Sequence, residues 1–148
     1  MVRRTSLDRA ECPVARSLDV IGDWWSLLIV RDAFDGVRRF NEFQRSLGVA
    51  KNMLSARLRA LVADGVLESA PASDGSPYRE YALTDKGRDL FPVIVALRQW
   101  GESHSFAPGE PRSELVDRAD GRPLARLEIR SATGAALAPE DTVVVKTG

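Results

Sequence analysis

One stretch of the chain, VAKNMLSARLRALVADG at residues 49–65, constrains the fold more than any other. Its large aliphatic residues recur every three or four positions, which is the spacing of one face of an α-helix, and Gly65 suits the end of that helix. The opposite face carries polar, basic and small side chains. The stretch therefore predicts an amphipathic helix at 50–64 that packs on a core with one side only. The apolar side consists of Leu54, Leu58, Leu61 and Val62.

Three further helices are predicted before this one. CPVARSLDVIG predicts a short helix that begins at Pro13 and ends near Gly22. DWWSLLIVRDAFDG predicts a central, buried helix, capped by Asp23 and followed by Gly36, because it is apolar around much of its girth. RRFNEFQRSLG predicts a shorter helix, which only a brief break at 48–49 separates from the amphipathic helix.

The segment that follows, VLESAPASDGSPYREYALT, predicts a hairpin of two short strands around a polar turn. Thr84 can cap the next helix, and Pro92 should interrupt that helix near 89–91 because proline lacks a backbone donor. Two short helices in succession and an immediate hairpin describe a helix-turn-helix with a wing. The predicted fold class is therefore α+β: a mostly helical winged helix-turn-helix with a two-stranded wing, its tip at 72–79.

Charge is distributed unevenly along the chain. The 21 Lys and Arg residues balance the 21 Asp and Glu residues, so the formal net charge is zero. Between Gly36 and Arg59, however, six basic residues oppose only Glu42, a local charge of +5. A basic patch of this kind is what a phosphate backbone requires. The six are Arg38, Arg39, Arg45, Lys51, Arg57 and Arg59.

The polar side of the 50–64 helix suits the major groove of double-stranded DNA. Small residues allow close approach, while Asn and Arg side chains can bond adenine and guanine edges, at about 1–3 kcal/mol of discrimination for each bidentate pair. A solvated helix surface is the alternative interpretation. The predicted groove-facing residues are Lys51, Asn52, Ser55, Ala56 and Arg59.

Other basic residues are assigned to the DNA backbone. Arg38, Arg39, Arg45 and Arg57 are predicted mostly to hold phosphates and set the register. Arg57 lies nearer the apolar margin of its helix, so an internal strut is its alternative role. Candidate wing contacts are Ser76 and Arg79.

The last predicted helix needs a second subunit. DLFPVIVALRQW is apolar on more than one face, and one small domain cannot bury all of that surface. We therefore predict a homodimer whose interface includes Phe91, Val95 and Trp100.

The composition changes at Ala107, where a linker rich in Pro and Gly begins. Strand-like pieces follow at 124–130 and 142–146. The predicted domains are a winged helix-turn-helix DNA-binding and dimerisation domain at 1–106, and a linker with a small β-rich C-terminal extension at 107–148. At this length the extension is an appendage rather than an independently stable domain.

Length, cysteine content and the lack of long apolar stretches limit the class of protein to which the chain can belong. The 148 residues suffice for one ordinary domain and an appendage, and the single cysteine, Cys12, cannot form an intrachain disulfide, which favours the cytoplasm. No stretch approaches the roughly 18 apolar residues of a membrane span, and the N-terminus lacks the apolar core of a signal peptide. Catalytic motifs and paired metal ligands are not present, so we predict no enzymatic activity, no metal and no cofactor.

Several motifs agree in order and spacing with one family. Over about residues 11–101 the chain resembles the HxlR-type, MarR-related winged-helix transcriptional regulators. The resemblance implies a homodimer that binds a DNA operator, with the terminal helices at the dimer interface, helix 50–64 in the major groove and wing 72–79 on the minor groove or backbone. The motifs are Cys-Pro at 12–13, Gly-x-x-Trp at 22–25, Arg-Phe-Asn-Glu at 39–42, Leu-Ser-x-Arg-Leu at 54–58, Glu-Tyr-x-Leu-Thr-x-x-Gly at 80–87 and Leu-x-x-Trp-Gly at 97–101.

The chain also departs from that family. Trp24 stands where relatives often have lysine, and Ala50 replaces the usual Ser or Thr cap of the recognition helix, at about 1 kcal/mol for a lost cap. Some relatives use a cysteine near Cys12 as a redox sensor; the alternative is a small residue at the dimer seam. Trp24 and Trp100 either fill an interface or line an aromatic pocket for a small-molecule effector.

Two other functions stay open at this point. One is a winged-helix protein–protein interaction module without specific DNA binding, which the missing cap and the lost lysine favour slightly. The other is a small enzyme, which the lack of any catalytic signature disfavours.

Overall fold

The structure is a computed structural model, and it describes residues 6–147. The described chain is α+β, as predicted, and consists mainly of helices with one two-stranded antiparallel sheet. A short 3₁₀ helix, Pro139–Asp141, lies in the C-terminal extension. The other elements are α1 (Pro13–Ile21), α2 (Trp24–Phe34), α3 (Phe40–Leu47), α4 (Lys51–Ala63), β1 (Leu67–Pro71), β2 (Arg79–Leu83), α5 (Asp85–Arg88) and α6 (Phe91–His104).

Local signals place the ends of the first helices. Pro13 occupies the first turn of α1, and the Asp23 carboxylate accepts a hydrogen bond from the backbone N–H of Ser26 (2.9 Å) at the start of α2. Helix α3 ends at Gly48, whose φ of 64° is the left-handed conformation that glycine adopts without strain. These boundaries confirm the helices predicted from periodicity and capping.

The core is the contact of α4 with the helices that precede it. The leucine stripe of α4 packs with α2 and α3, and Phe43 of α3 makes an edge-to-face contact with Tyr81 of β2. Each fully buried side chain of this size contributes about 1.5–3 kcal/mol. The buried cluster comprises Ile29, Val30, Ala33, Phe43, Val49, Leu54, Leu58, Leu61, Val66 and Leu67.

The wing is attached to the helix-turn-helix by its second strand. Strands β1 and β2 pair in register from Leu67 opposite Leu83 to Pro71 opposite Arg79. The backbone N–H of Tyr81 also donates to the carbonyl of Arg38 (2.7 Å), just before α3. The wing is therefore fixed to the start of α3 at one edge and to the end of α4 through the chain.

Thr84 joins the end of α4 to the start of α5. Its hydroxyl accepts a hydrogen bond from the N–H of Gly87 (3.1 Å) and donates to the carbonyls of Gly65 and Val66, which share its one proton. Gly87 is required there, because a Cβ at this position would collide with the Val66 carbonyl. The chain then leaves helical geometry and restarts at Phe91, which confirms the predicted interruption before Pro92.

The chain divides into two compact units, one up to Ile94 and one from Val95 onward. In the second unit the extension runs beside α6 and bonds to its side chains. Gln99 donates to the carbonyl of Ala125 (3.0 Å) and accepts from the N–H of Leu127 (2.8 Å), while Arg98 donates to the carbonyl of Ser113 (3.1 Å).

The extension is not β-rich, which corrects one prediction. No strand forms at 124–130 or 142–146; within the described residues of the extension, β structure is limited to isolated bridges between Val116 and Pro123 and between Arg130 and Ala136. A strand needs a neighbouring strand, and here the hydrogen bond of Leu127 goes to a side chain of α6 instead. The sequence does contain residues that favour strands, but the described part of the subunit offers no neighbouring strand with which they could pair.

We predict that replacing Thr84 with Val lowers the free energy of unfolding by about 1–2 kcal/mol, because the N–H of Gly87 in α5 and the carbonyls of Gly65 and Val66 lose their hydroxyl partner. Urea denaturation at one fixed protein concentration measures the change. Thr84→Ser keeps the hydroxyl and is the matched control. A loss in Thr84→Ser with none in Thr84→Val would show that the methyl group, not the hydrogen bonds, stabilises this junction.

Candidate nucleic-acid interface

The polar side of α4 is free to meet a ligand. Lys51, Asn52, Ala56 and Arg59 are exposed, and Ser55 is half-buried beside them. Within residues 6–147, the side chains of Lys51, Asn52 and Arg59 make no hydrogen bond or ion pair. The five residues predicted to face the major groove thus lie together on one uncompensated, cationic surface.

The N-terminus of α4 adds to this positive character. Ala50 supplies no side-chain cap, as predicted, so the first N–H groups of the helix have no protein partner from that residue. Unsatisfied N–H groups and the helix dipole attract anions. A phosphate oxygen could take the place of the missing cap.

Arg57 is an internal strut. Its Nε lies 3.4 Å from the Asp23 carboxylate, and Asp23 in turn caps α2. Of the two interpretations of Arg57, the structure therefore supports the strut. The contact links the middle of the recognition helix to the start of the central helix.

Arg38 is also used within the subunit, contrary to its assignment as a phosphate ligand. The half-buried guanidinium donates to the carbonyl of Ala33 (3.1 Å) in the last turn of α2 and to the carbonyl of Val37 (3.3 Å) just beyond it. The negative end of the helix dipole favours a cation there. Arg45 differs, because it is exposed and has no hydrogen bond or ion pair among the described residues.

Arg39 connects α3 to the tip of the wing. Its guanidinium donates to the Asp74 carboxylate, lies 3.7 Å from Glu80 and stacks over the Tyr78 ring at 5.7 Å from the centroid. The hydrogen bond from Arg39, together with the N–H of Ser76 (3.0 Å), holds the pKa of Asp74 well below its usual range. The same hydrogen bond to Asp74 raises the pKa of Arg39. Arg39 therefore anchors the wing before any DNA is present.

The two predicted wing residues make contacts within the hairpin. Arg79 donates to the hydroxyl of Ser69 and to its carbonyl (3.2 Å), whereas Ser76 donates its backbone N–H to Asp74 and its hydroxyl is buried without a partner among the described residues. Tyr78 is the large apolar residue that the wing exposes, with an accessibility of 62%. Sequence reasoning missed Tyr78, although an aromatic residue directly after the wing turn was a usable signal. It borders a cleft of about 350 Å³ lined by Arg39, Phe40, Asn41, Tyr78, Arg79 and Tyr81.

The predicted interface residues fall in different places. Phe91 packs on Phe34 with 5.3 Å between ring centroids, Val95 is buried with 4% accessibility, and Trp100 is exposed with 64%. Val95 therefore belongs to the interior of its own subunit, which corrects its assignment. The exposed apolar face of α6 runs instead through Val93, Leu97 and Trp100. Cys12 is exposed at the N-cap of α1.

Neither a metal-ion cluster nor a membrane-spanning helix occurs among residues 6–147. No group of three or more His, Cys, Asp or Glu residues there is arranged to hold a metal ion. No helix in that range combines the length and apolarity that crossing a bilayer requires.

Known proteins share this architecture. The profile described as HxlR-like helix-turn-helix matches residues 20–107. The HTH-type transcriptional regulator Rv3095 of Mycobacterium tuberculosis is 46% identical over 102 residues, which cover 69% of this chain and 65% of that relative, so the match spans less than two thirds of its length. YybR of Bacillus subtilis, also described as an HTH-type transcriptional regulator, is 40% identical over 94 residues, covering 63% of this chain and 75% of YybR.

Solved structures agree with the sequence relatives. PA1607, a candidate transcription factor, superposes with a TM-score of 0.92 and 59% identity over 97% of this chain and 100% of its own. The redox regulator HypR, in its reduced form, gives 0.59 and 39% identity over 64% of this chain and 94% of its own. The chain therefore belongs to the HxlR-like helix-turn-helix family, and the relatives that it matches are described as transcriptional regulators, not as enzymes.

Proposed function

We propose that the protein binds a specific double-stranded DNA operator as a homodimer, with α4 in the major groove and the wing at 72–79 on the minor groove or backbone. The single observation that carries the proposal is the free cationic side of α4, on which Lys51, Asn52 and Arg59 have no partner within the described chain. Cations without a partner on an exposed helix are available for phosphates and base edges.

Each residue of this surface has a proposed role. Asn52 and Arg59 read base edges, because their side chains offer paired hydrogen-bonding groups. Ser55 and Ala56 are small and let the helix approach the bases. Lys51 lies in the first turn, where it and the N–H groups of α4 hold a phosphate.

The backbone contacts differ from the first assignment. Arg45 is the proposed phosphate ligand of α3, since it is exposed and unpaired within the described residues. Arg39 orients the wing through Asp74, and Tyr78 is the residue of the wing that reaches DNA. Ser76 and Arg79 shape the hairpin that presents Tyr78.

The homodimer is proposed from exposed apolar surface. Val93, Leu97 and Trp100 form a continuous stripe along α6, and α1 exposes Val14 and Leu18. Apolar residues in such a row are more favourable against another protein surface than in water. A two-fold pair would present its two recognition helices to half-sites about 34 Å apart.

The two predicted domains are given separate roles. We place DNA binding and dimerisation in residues 1–106, and we treat residues 107–148 as an extension with a separate role. The cytoplasm, where the operator would be found, is the proposed location.

An effector remains a prediction. Cys12 is an exposed thiol at the N-cap of α1, and the structural neighbour HypR is a redox regulator solved in reduced and oxidised forms. Any disulfide of Cys12 would join two chains, because the sequence holds one cysteine. Trp24 is exposed beside Trp25 and is the candidate aromatic contact for a small molecule.

Selection of bound duplexes from a random pool tests the proposal. The full-length protein is expected to enrich one motif with two-fold symmetry. Failure to retain any duplex even at low salt would contradict DNA binding and favour the protein–protein interaction module.

We predict that Arg59→Ala changes base preference at one position of each half-site, losing about 1–3 kcal/mol of discrimination. Arg45→Ala is the matched comparison: it should weaken all sequences alike and reduce the slope of log K against log salt by about 1. Binding titrations on the selected site and single-base variants measure both. An unchanged base preference in Arg59→Ala would show that Arg59 does not recognise a base.

We predict that Asp74→Asn strengthens DNA binding by roughly 2- to 5-fold at low salt, because a carboxylate that repels phosphate and occupies Arg39 is removed. Asp89→Asn, an exposed change of equal charge, is the control. The lowered pKa of Asp74 means that its stabilising contribution is complete above about pH 4 and is lost only as pH falls through that lowered value. Wild-type affinity should therefore not change through Asp74 between about pH 5 and 8. Equal gains in DNA affinity in Asp74→Asn and Asp89→Asn would show that the effect comes from net charge and not from the contact between Asp74 and Arg39.

We predict that Leu97→Glu shifts the protein towards the 16.3 kDa monomer, because a carboxylate would be buried on the apolar face of α6. Sedimentation velocity at micromolar concentration measures the mass. Met53→Glu, at an exposed apolar position of α4, is the control and should leave the mass unchanged. A dimer of undiminished stability in Leu97→Glu would place the interface elsewhere.

A further inference from the structure

A cleft in the first compact unit is lined mainly by aliphatic side chains. It has a volume of about 280 Å³ and lies between α1, the turn from α4 to β1, α5 and the start of α6. Val20 and Leu90 pack on the core from this cleft but stay only half-buried, so the described chain does not fill it. The aliphatic lining consists of Val20, Ile21, Val66, Leu90 and Val93.

One wall of the cleft is fixed by hydrogen bonds of the protein itself. The carbonyl of Val66 accepts from the backbone N–H and from the hydroxyl of Thr84, each at 3.1 Å. Gly87 lies against the same carbonyl, where a Cβ would collide with it. A cleft that is formed in advance binds a ligand without the cost of ordering its own walls.

Two cations line the cleft without a carboxylate partner. The Nζ of Lys86 donates to the carbonyl of Asp64 (2.6 Å), and Arg16 uses its Nε for the carbonyl of Ala10. Their other N–H groups make no hydrogen bond or ion pair within the described chain, and no Asp or Glu of that part lines the cleft. A wholly apolar occupant would take these charges out of water unpaired, whereas an anion would pair with them.

We propose that this cleft binds a short aliphatic carboxylate, whose chain packs on Val20, Val66 and Leu90 and whose carboxylate pairs with Lys86 and Arg16. The lining offers no aromatic ring for stacking, which favours a saturated chain over a planar aromatic acid. Because small-molecule sites begin at about 300 Å³, a cleft of this size accepts an acid of a few carbons and excludes a chain of lipid length.

A methyl NMR titration of the full-length protein with hexanoate at pH 7 tests the binding. We expect a dissociation constant of about 1 mM or tighter, with shifts centred on the methyl groups of Val20, Val66 and Leu90. Hexanamide, the neutral analogue, should bind at least about 10-fold more weakly. Butanoate should also bind about 10-fold more weakly, because it buries fewer CH₂ groups. Equal affinity for hexanoate and hexanamide would overturn the proposal, and so would tighter binding of benzoate than of hexanoate.

Lys86→Met tests the cation. It should weaken hexanoate binding about 5-fold or more and leave hexanamide binding unchanged, a selective loss that a general disturbance of the fold would not produce. Arg88→Met removes a charge from an exposed position of the same helix outside the cleft, so it should bind hexanoate like the wild type. Unchanged hexanoate affinity in Lys86→Met would overturn the proposal.

Ser17→Phe tests the cleft itself, because Ser17 lines it and a phenyl ring there would occupy the space. The variant should lose hexanoate and hexanamide binding together and keep the wild-type mass in sedimentation. Absence of methyl shifts with hexanoate, together with dissociation of a dimer by Ser17→Phe, would assign the cleft to a second copy of the chain and overturn the proposal. These measurements need no DNA, so their failure is distinguishable from failure of operator binding.

Discussion

The packing of the leucine stripe of α4 against α2 and α3 determines where the rest of the winged helix can lie. Burial of Leu54, Leu58 and Leu61 fixes the orientation of α4 about its own axis. Its basic and small residues must therefore face outward. The hairpin begins within four residues of the end of α4, so the wing must stand beside that outward side. A single apolar contact surface thus orients the recognition helix and the wing together.

Arginines reinforce this arrangement from within. Arg38 binds carbonyls at the end of α2, Arg57 lies beside the carboxylate that caps α2, and Arg39 bonds to the tip of the wing. Three positive charges that the sequence assigned to phosphate are therefore occupied in the subunit. The partly exposed ion pairs of Arg39 and Arg57 contribute little to stability, but they limit the positions that the wing and α4 can adopt. Within α3 and α4, the cations without a partner among the described residues are Arg45, Lys51 and Arg59.

Sequence reasoning succeeded where the signal is local and failed where a partner is distant. The ends of α1, α2 and α3 follow from Pro13, Asp23 and Gly48, whose effects act within one turn of helix. The partner of Arg39 lies 35 residues away, and no periodicity identifies it. The strands predicted in the extension failed for a related reason, because β-branched residues indicate a preference for pairing without supplying the neighbour.

The hydrogen bonds of Thr84 offer a route by which a movement of one helix can reach another. Its hydroxyl bonds both to the turn that ends α4 and to the first turn of α5, immediately before α6 begins. A shift at the start of α6 would therefore be transmitted to the C-terminal end of α4 through this junction, where Lys86 also donates to the carbonyl of Asp64 (2.6 Å). In the proposed homodimer, a change in the angle between the subunits, caused by thiol oxidation or by ligand binding, would change the distance between the two α4 helices and thereby the affinity for a fixed operator.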